Sequence, residues 1–222
     1  MIKIMKKSLI LSLLLCSAVF IAAVPSVLHA EEEKKADSEL SADEQNKLAL
    51  EAYELILELS ASGERKDILQ QLENAYYGVI SKYPKANLAQ EAYWRLIQIY
   101  LGEYHPPAIE KAERVREEFV RKYPDSKMKM VIDRSVVDWY LKNAKWDKIT
   151  AFFAPAIRKS IETGKYNIYE IMMYTEAKYN LGDMTEAEKG YKIINANFPS
   201  TKEGARARQR IEEIGKQKAT KQ

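Results

Sequence analysis

The side chains that most often carry covalent or acid–base chemistry are scarce in this chain. Cysteine occurs once, as Cys16, and histidine twice, as His29 and His105. Cys16 and His29 lie in an apolar N-terminal stretch, so the rest of the chain has one histidine and no thiol. That excludes a disulfide and a Cys-ligated metal there, and most nucleophile–base pairs with them. There is no Gly-rich phosphate loop, no G-x-S-x-G and no H-E-x-x-H. A carboxylate pair acting on a glycan is the hydrolytic chemistry still open, but the acids are spread over helix positions that ordinary surface charge patterning explains. His105 lies in the turn 101–107, where a solvated loop histidine is the plain reading and a proton shuttle the sharper one. No catalytic residue, cofactor or metal is expected.

Binding chemistry is better represented. Plotted at 100° per residue, 88–101 puts its apolar residues on one half of the wheel and Trp94 near the middle of the other. A large aromatic turned away from its own core is a candidate anchor for a partner. Trp94 and Gln98 follow Pro84 by ten and fourteen residues, and Arg134 and Asp138 follow Pro124 in the same way. Stacked repeats would set these four along one groove, and Met172 and Glu176 would extend it. Each has a plainer reading. Trp94 can pack under an adjacent repeat, Arg134 and Asp138 can form an i,i+4 surface pair, and Met172 can fill core.

The elements that must position these residues show in the spacing. An aromatic precedes a proline at Tyr83-Pro84, Tyr123-Pro124 and Phe198-Pro199. Five before each proline stand Val79, Phe119 and Ile194; nine before, Ala75, Val115 and Gly190; twelve before, Leu72, Ala112 and Ala187. Small or apolar residues three or four apart share one helix face, and the proline ends the helix. The proline spacings of 40 and 75 residues leave room for a proline-less repeat ending near Gly164. Helix starts are expected at the capping boxes Ser41/Glu44, Thr185/Glu188 and Ser200/Glu203, and at Asn87/Gln90. The first helix should bury Leu48, Ala52, Leu55, Ile56 and Leu59. Pro107 should open the helix ending at Lys122, and Pro155 should kink its own or delay its start. Gly215 should close the last helix.

Leu181, Gly182, Asp183 and Met184, with Ala187, Tyr191 and Pro199, resemble the tetratricopeptide repeat (TPR) pattern. The 143–147 run resembles a weaker copy of its turn. The runs after Tyr83 and Tyr123 are similar to the longer-period repeats of exported bacterial TPR proteins, such as the lipoprotein of outer-membrane β-barrel assembly and the periplasmic protein linked to Tol–Pal. The resemblance covers roughly residues 65–215. It implies an all-α, right-handed solenoid of about four helix pairs plus a C-terminal capping helix. It also implies a non-enzymatic scaffold in cell-envelope assembly or maintenance, holding a protein or peptide in a concave groove. A cell-wall glycan or small-ligand binder using some of the 14 tyrosines is the alternative.

Residues 1–30 have the layout of an export signal: Lys3, Lys6 and Lys7, an apolar run over 8–24, then Pro25 and a small-residue site ending at Ala30. A periplasmic location in a Gram-negative bacterium follows as the expectation, with an inner-membrane anchor or acylation at Cys16 as alternatives. Residues 31–40 are expected to be a flexible spacer, 41–215 the helical body and 216–222 a basic tail. The net charge of +3 comes from those three leader lysines; without them the basic residues equal the 32 acids. A balanced body argues against a nucleic-acid partner.

Overall fold

In the computed structural model the described residues are 40–220, all helix and connecting turn with no strand among them. The export signal and nearly all of the spacer expected before Ser41 lie outside the described residues. The helices are α1 (Ala42–Ala61), α2 (Arg65–Lys82), α3 (Asn87–Gly102), α4 (Ile109–Lys122), α5 (Met128–Lys142), α6 (Trp146–Thr163), α7 (Ile168–Asn180), α8 (Met184–Asn197) and α9 (Lys202–Thr220). Each packs on its neighbour in sequence, and α3 also packs on α1 and on α5. Among the described residues no helix is long and apolar enough to cross a membrane.

The repeat is visible in the backbone hydrogen bonds. At the three aromatic–proline turns the N–H groups of Tyr83, Tyr123 and Phe198 donate to the carbonyls of Val79, Phe119 and Ile194, at 2.9, 2.8 and 2.9 Å. Three residues on, Ala86, Ser126 and Thr201 donate back to the same three aromatics at 3.0, 3.1 and 3.2 Å. Proline cannot continue an α-helix, and the residue before it is pushed out of the helical region, so each turn begins at the same place. A second turn type also occurs twice. Lys145 N–H donates to Tyr140 as Asp183 does to Lys178, and Ala144 to Leu141 as Gly182 does to Tyr179.

These paired turns supply a test. Both need a left-handed residue in the middle, and the chain has Gly182 at φ 80° in one and Ala144 at φ 51° in the other. Alanine in that region is strained by roughly 1 kcal/mol, partly offset by the extra unfolded-state entropy of glycine. Ala144→Gly should therefore be neutral or stabilise by up to about 1 kcal/mol, and Gly182→Ala should destabilise by about 1 kcal/mol. No atom lies within 4 Å of a Cβ added at Gly182, so that cost is conformational alone. Urea unfolding of both variants decides it; a destabilised Ala144→Gly would mean the two turns are not equivalent.

Several local expectations are corrected. In α1 the buried residues are Gln45, Ala49, Tyr53 and Ile56, while Leu55 is 66% exposed and Leu48 and Leu59 are half-buried. The apolar residues of α1 span so wide an arc that α2 and α3, not the helix itself, choose which part faces inward. The Ser41/Glu44 capping box is present. Two other caps move: Asp183, two residues before Thr185, caps α8, and Thr201, one after Ser200, accepts from Gly204 N–H at the start of α9. At α3 the first amide is held not by its own cap but by Asn46 Oδ1 of α1, at 2.8 Å from Asn87 N. Helix α4 starts at Ile109, past Pro107. Helix α6 starts at Trp146 and runs through Pro155, which leaves the Ala151 carbonyl without its helical donor, and it packs more fully on α7 than on α5. Helix α9 continues past Gly215 to Thr220, anchored by buried Ile214 and by the Lys218–Glu188 ion pair to α8. Mid-helix glycine costs only about 1 kcal/mol, so Gly215 does not by itself end the helix.

Tyrosine–glutamate hydrogen bonds recur between helices. The phenol of Tyr93 donates to Glu118 at 2.6 Å, Tyr191 to Glu176 at 2.9 Å and Tyr104 to Glu73 at 2.8 Å; Tyr140 donates to Glu113. Each ring fills core while its hydroxyl meets a carboxylate at the edge, so neither polar group is left unpaired. Burial by itself would raise the Glu73 carboxyl. Hydrogen bonds from Tyr104, Tyr100 and Lys111 outweigh that and hold it below the usual carboxylate range.

Candidate functional site

The residues singled out by spacing lie on three helices: Trp94 and Gln98 on α3, Arg134 and Asp138 on α5, Met172 and Glu176 on α7. On α1, Asn46, Leu50, Tyr53 and Leu57 form one stripe at i, i+4, i+7 and i+11. That stripe runs beside α3, because Asn46 reaches Asn87 N and the Tyr53 phenol donates to the Leu88 carbonyl at 3.1 Å. On α3 the matching residues are Glu91, Trp94 and Gln98; on α5 they are Val131, Ser135 and Asp138.

Trp94 is half-buried. Its ring lines an open cleft of about 520 Å³ between α3 and α5, with Met128 and Val131 as the other apolar walls and Asn87, Gln90 and Glu91 at the rim. Trp94 packs against the core and reaches α5 through its indole N–H, and it also borders the cleft. The indole Nε1–H donates to Ser135 Oγ at 3.3 Å and Gln98 Nε2 donates to the same oxygen at 3.0 Å. Ser135 in turn donates to the Val131 carbonyl at 3.0 Å. The Arg95 guanidinium lies 4.7 Å from the Trp94 ring centroid and is held by Glu91 at 2.9 Å. A serine in a helix has no sequence signature; only the packing of α3 on α5 brings Trp94 and Gln98 to Ser135, whose third partner, Val131, is in its own helix.

Arg134 and Asp138 form the plain i,i+4 pair at 3.6 Å, with Arg134 77% exposed. Such a pair contributes a few tenths of a kcal/mol. It lies near Tyr169 of α7, whose phenol is raised mainly by burial and then by the Asp138 charge, with Arg134 opposing. Met172 and Glu176 belong to a separate cleft of about 640 Å³, where α7 and α9 meet Leu141 and Trp146. Glu176 is buried and fully engaged: its Oε1 accepts from Tyr191, its Oε2 from Arg206 at 2.8 Å, and Arg210 Nη2 stands 3.7 Å away. Arg210 stacks on Tyr179 at 4.2 Å and bonds Glu213. Here a carboxylate is desolvated only because two arginines from the last helix neutralise it. So the six residues do not form one line. Trp94 and Gln98 converge on Ser135, Arg134 and Asp138 pair beside Tyr169, and Met172 and Glu176 line a second cleft.

Among the described residues no group of three or more His, Cys, Asp or Glu is arranged to hold a metal ion. His105 is exposed in the turn before α4. Compared with known proteins, the chain matches no family model, no curated protein and no solved structure.

Proposed function

We propose that the chain is a TPR-like helical solenoid that serves as a non-enzymatic scaffold, binding an extended peptide or a partner's helix across its odd-numbered helices. The observation that carries this is the open cleft at Trp94, an aromatic wall between two helices with amide and carboxylate groups at its mouth. Apolar walls take a side chain, while Asn87 and Gln90 at the rim have donors and acceptors to meet a peptide backbone. Two further observations support a repeat scaffold: the two turn types recur with the same hydrogen bonds, and α1, α3 and α5 pack in series. The layout of residues 1–30 favours an export signal and work in the cell envelope, with envelope proteins as partners.

The test is affinity capture of residues 31–222 from envelope extract, then titration of the identified partner against Trp94→Ala. Affinity should fall by more than about 1 kcal/mol with folding intact. Unchanged affinity with a lowered melting temperature would reduce Trp94 to a packing residue. Capture only by isolated peptidoglycan would replace the protein partner with a glycan.

A further inference from the structure

The two ends of the helical array are finished differently. At the C-terminal end α9 shows solvent charged and small residues, and no large hydrophobic residue of α9 is exposed. At the N-terminal end, among the described residues, Leu50, Leu55 and Leu57 of α1 are exposed at 55%, 66% and 66%; Leu50 and Leu57 belong to the stripe beside α3, and Leu55 stands on the other flank. Leu48, Ala52, Leu55 and Leu59 follow at i, i+4, i+7 and i+11, a seam of about three turns on the flank of α1 away from the stripe that meets α3; Leu55 is its exposed member, while Leu48, Ala52 and Leu59 are half-buried, Ala52 and Leu59 against the core. Seams of that width are covered by another helix. Among the described helices α1 packs on α2 and α3, and Leu55 stays exposed.

Charge selects the occupant. Helix α1 has five carboxylates against one lysine, Lys47. Glu51, Glu54 and Glu58 are exposed beside the seam, and no basic group forms an ion pair with any of them among the described residues. On other helices some surface acids are matched, as Glu91 is by Arg95, Glu113 by Lys148 and Glu188 by Lys192 and Lys218; what sets α1 apart is its excess of five carboxylates over one lysine. A second copy docked through this face would set glutamate against glutamate. An anionic lipid surface would be repelled in the same way, and the acidic run Glu31-Glu32-Glu33 just upstream cannot serve.

We infer that the free flank of α1 is a docking surface for a basic amphipathic helix of a partner protein, its leucine-like residues on the Leu48–Leu55–Leu59 seam and its lysines or arginines against Glu51, Glu54 and Glu58. The surface is separate from the Trp94 cleft, so the two stand or fall independently. The probe is a synthetic helix of about 18 residues with leucines at i, i+4, i+7 and i+11 and lysines on both flanks, beside a counterpart with glutamates for the lysines. Fluorescence anisotropy with the full chain should show binding of the lysine peptide only, weakened about tenfold by Leu55→Ser and by the triple change Glu51→Gln, Glu54→Gln, Glu58→Gln. Raising salt from low to high should weaken the parent far more than the triple variant. Trp94→Ala should leave the affinity unchanged, and because all four positions are exposed, circular dichroism should show every variant folded. Equal binding of both peptides, or of the lysine peptide to parent and triple variant, overturns the inference. So does self-association in sedimentation that Leu55→Ser abolishes, which would make the occupant a second copy. A tenfold gain in peptide affinity on deleting residues 1–39 would make it the chain's own N-terminal segment, and overturns it too.

Discussion

Gly190→Ala should destabilise the protein by about 3 kcal/mol, at the upper end of overpacking costs. A Cβ added at Gly190 would lie 2.1 Å from Thr175 Oγ1, 2.9 Å from its Cγ2 and 3.0 Å from its Cβ. Thr175 is fully buried and β-branched, so its χ1 has little freedom in a helix. The clash can be relieved only by moving α7 and α8 apart. That separation would also stretch the Tyr191–Glu176 hydrogen bond and loosen Ala187 and Ile194, which are fully buried on the same face of α8. Against a typical net stability of about 5–15 kcal/mol the loss is large. Thr175 is also the one buried side-chain polar group without a hydrogen-bond partner among the described residues. Trimming it to alanine therefore removes an unpaired hydroxyl along with the clash. Thr175→Ala with Gly190→Ala should be more stable than Gly190→Ala alone, with a coupling above 1 kcal/mol in a double-mutant cycle. A Gly190→Ala variant within about 0.5 kcal/mol of the parent in urea unfolding would show that the two helices are free to shift.

Raising the pH above about 10 should unfold the protein cooperatively, the second large effect. The phenols of Tyr53, Tyr93, Tyr100, Tyr140 and Tyr191 are all held well above the usual tyrosine range, in each case first by burial. Carboxylates add to it, as Glu118 does at Tyr93 and Glu113 at Tyr140, because a tyrosinate beside a glutamate would be both desolvated and repelled. Tyr104 is pushed up to about 12 by burial and by Glu73. A phenol raised in the folded state is neutral there, so its contribution is complete below the unfolded value near 10 and is lost as pH climbs toward the folded value. Each such phenol removes up to about 1.4 kcal/mol per pH unit in that window, so several together exhaust the stability within one to two units. Helicity by circular dichroism and tyrosinate absorbance should change in a single step. Smooth tyrosinate titration from pH 10 with helicity intact would mean that these phenols are not locked by the fold.

The two effects sit at opposite ends of what could be foreseen. Ala187, Gly190, Tyr191 and Ile194 stand three or four apart before Pro199, and all four are buried along α8. The matched prolines at 84, 124 and 199 end three helices with one hydrogen-bond pattern. These are local matters: a 3.6-residue period and a ring without an N–H act within a few residues, so residue order alone determines them. Trp94 is likewise recoverable from its place on the wheel, and Arg134 with Asp138 from their spacing. The partners are another matter. Ser135 receives Trp94 and Gln98 from 41 and 37 residues away, and Glu176 receives Arg206 from 30. The face that α1 buries was missed for the same reason, since Leu55 and Tyr53 are equally apolar on paper and only α2 and α3 select Tyr53. Helix formation and helix ends were therefore settled by the residues themselves. Which flank turns inward, which carboxylate is buried, and where a cleft stays open depend on the free energy of burying one helix against another. That quantity exists only once the helices are assembled.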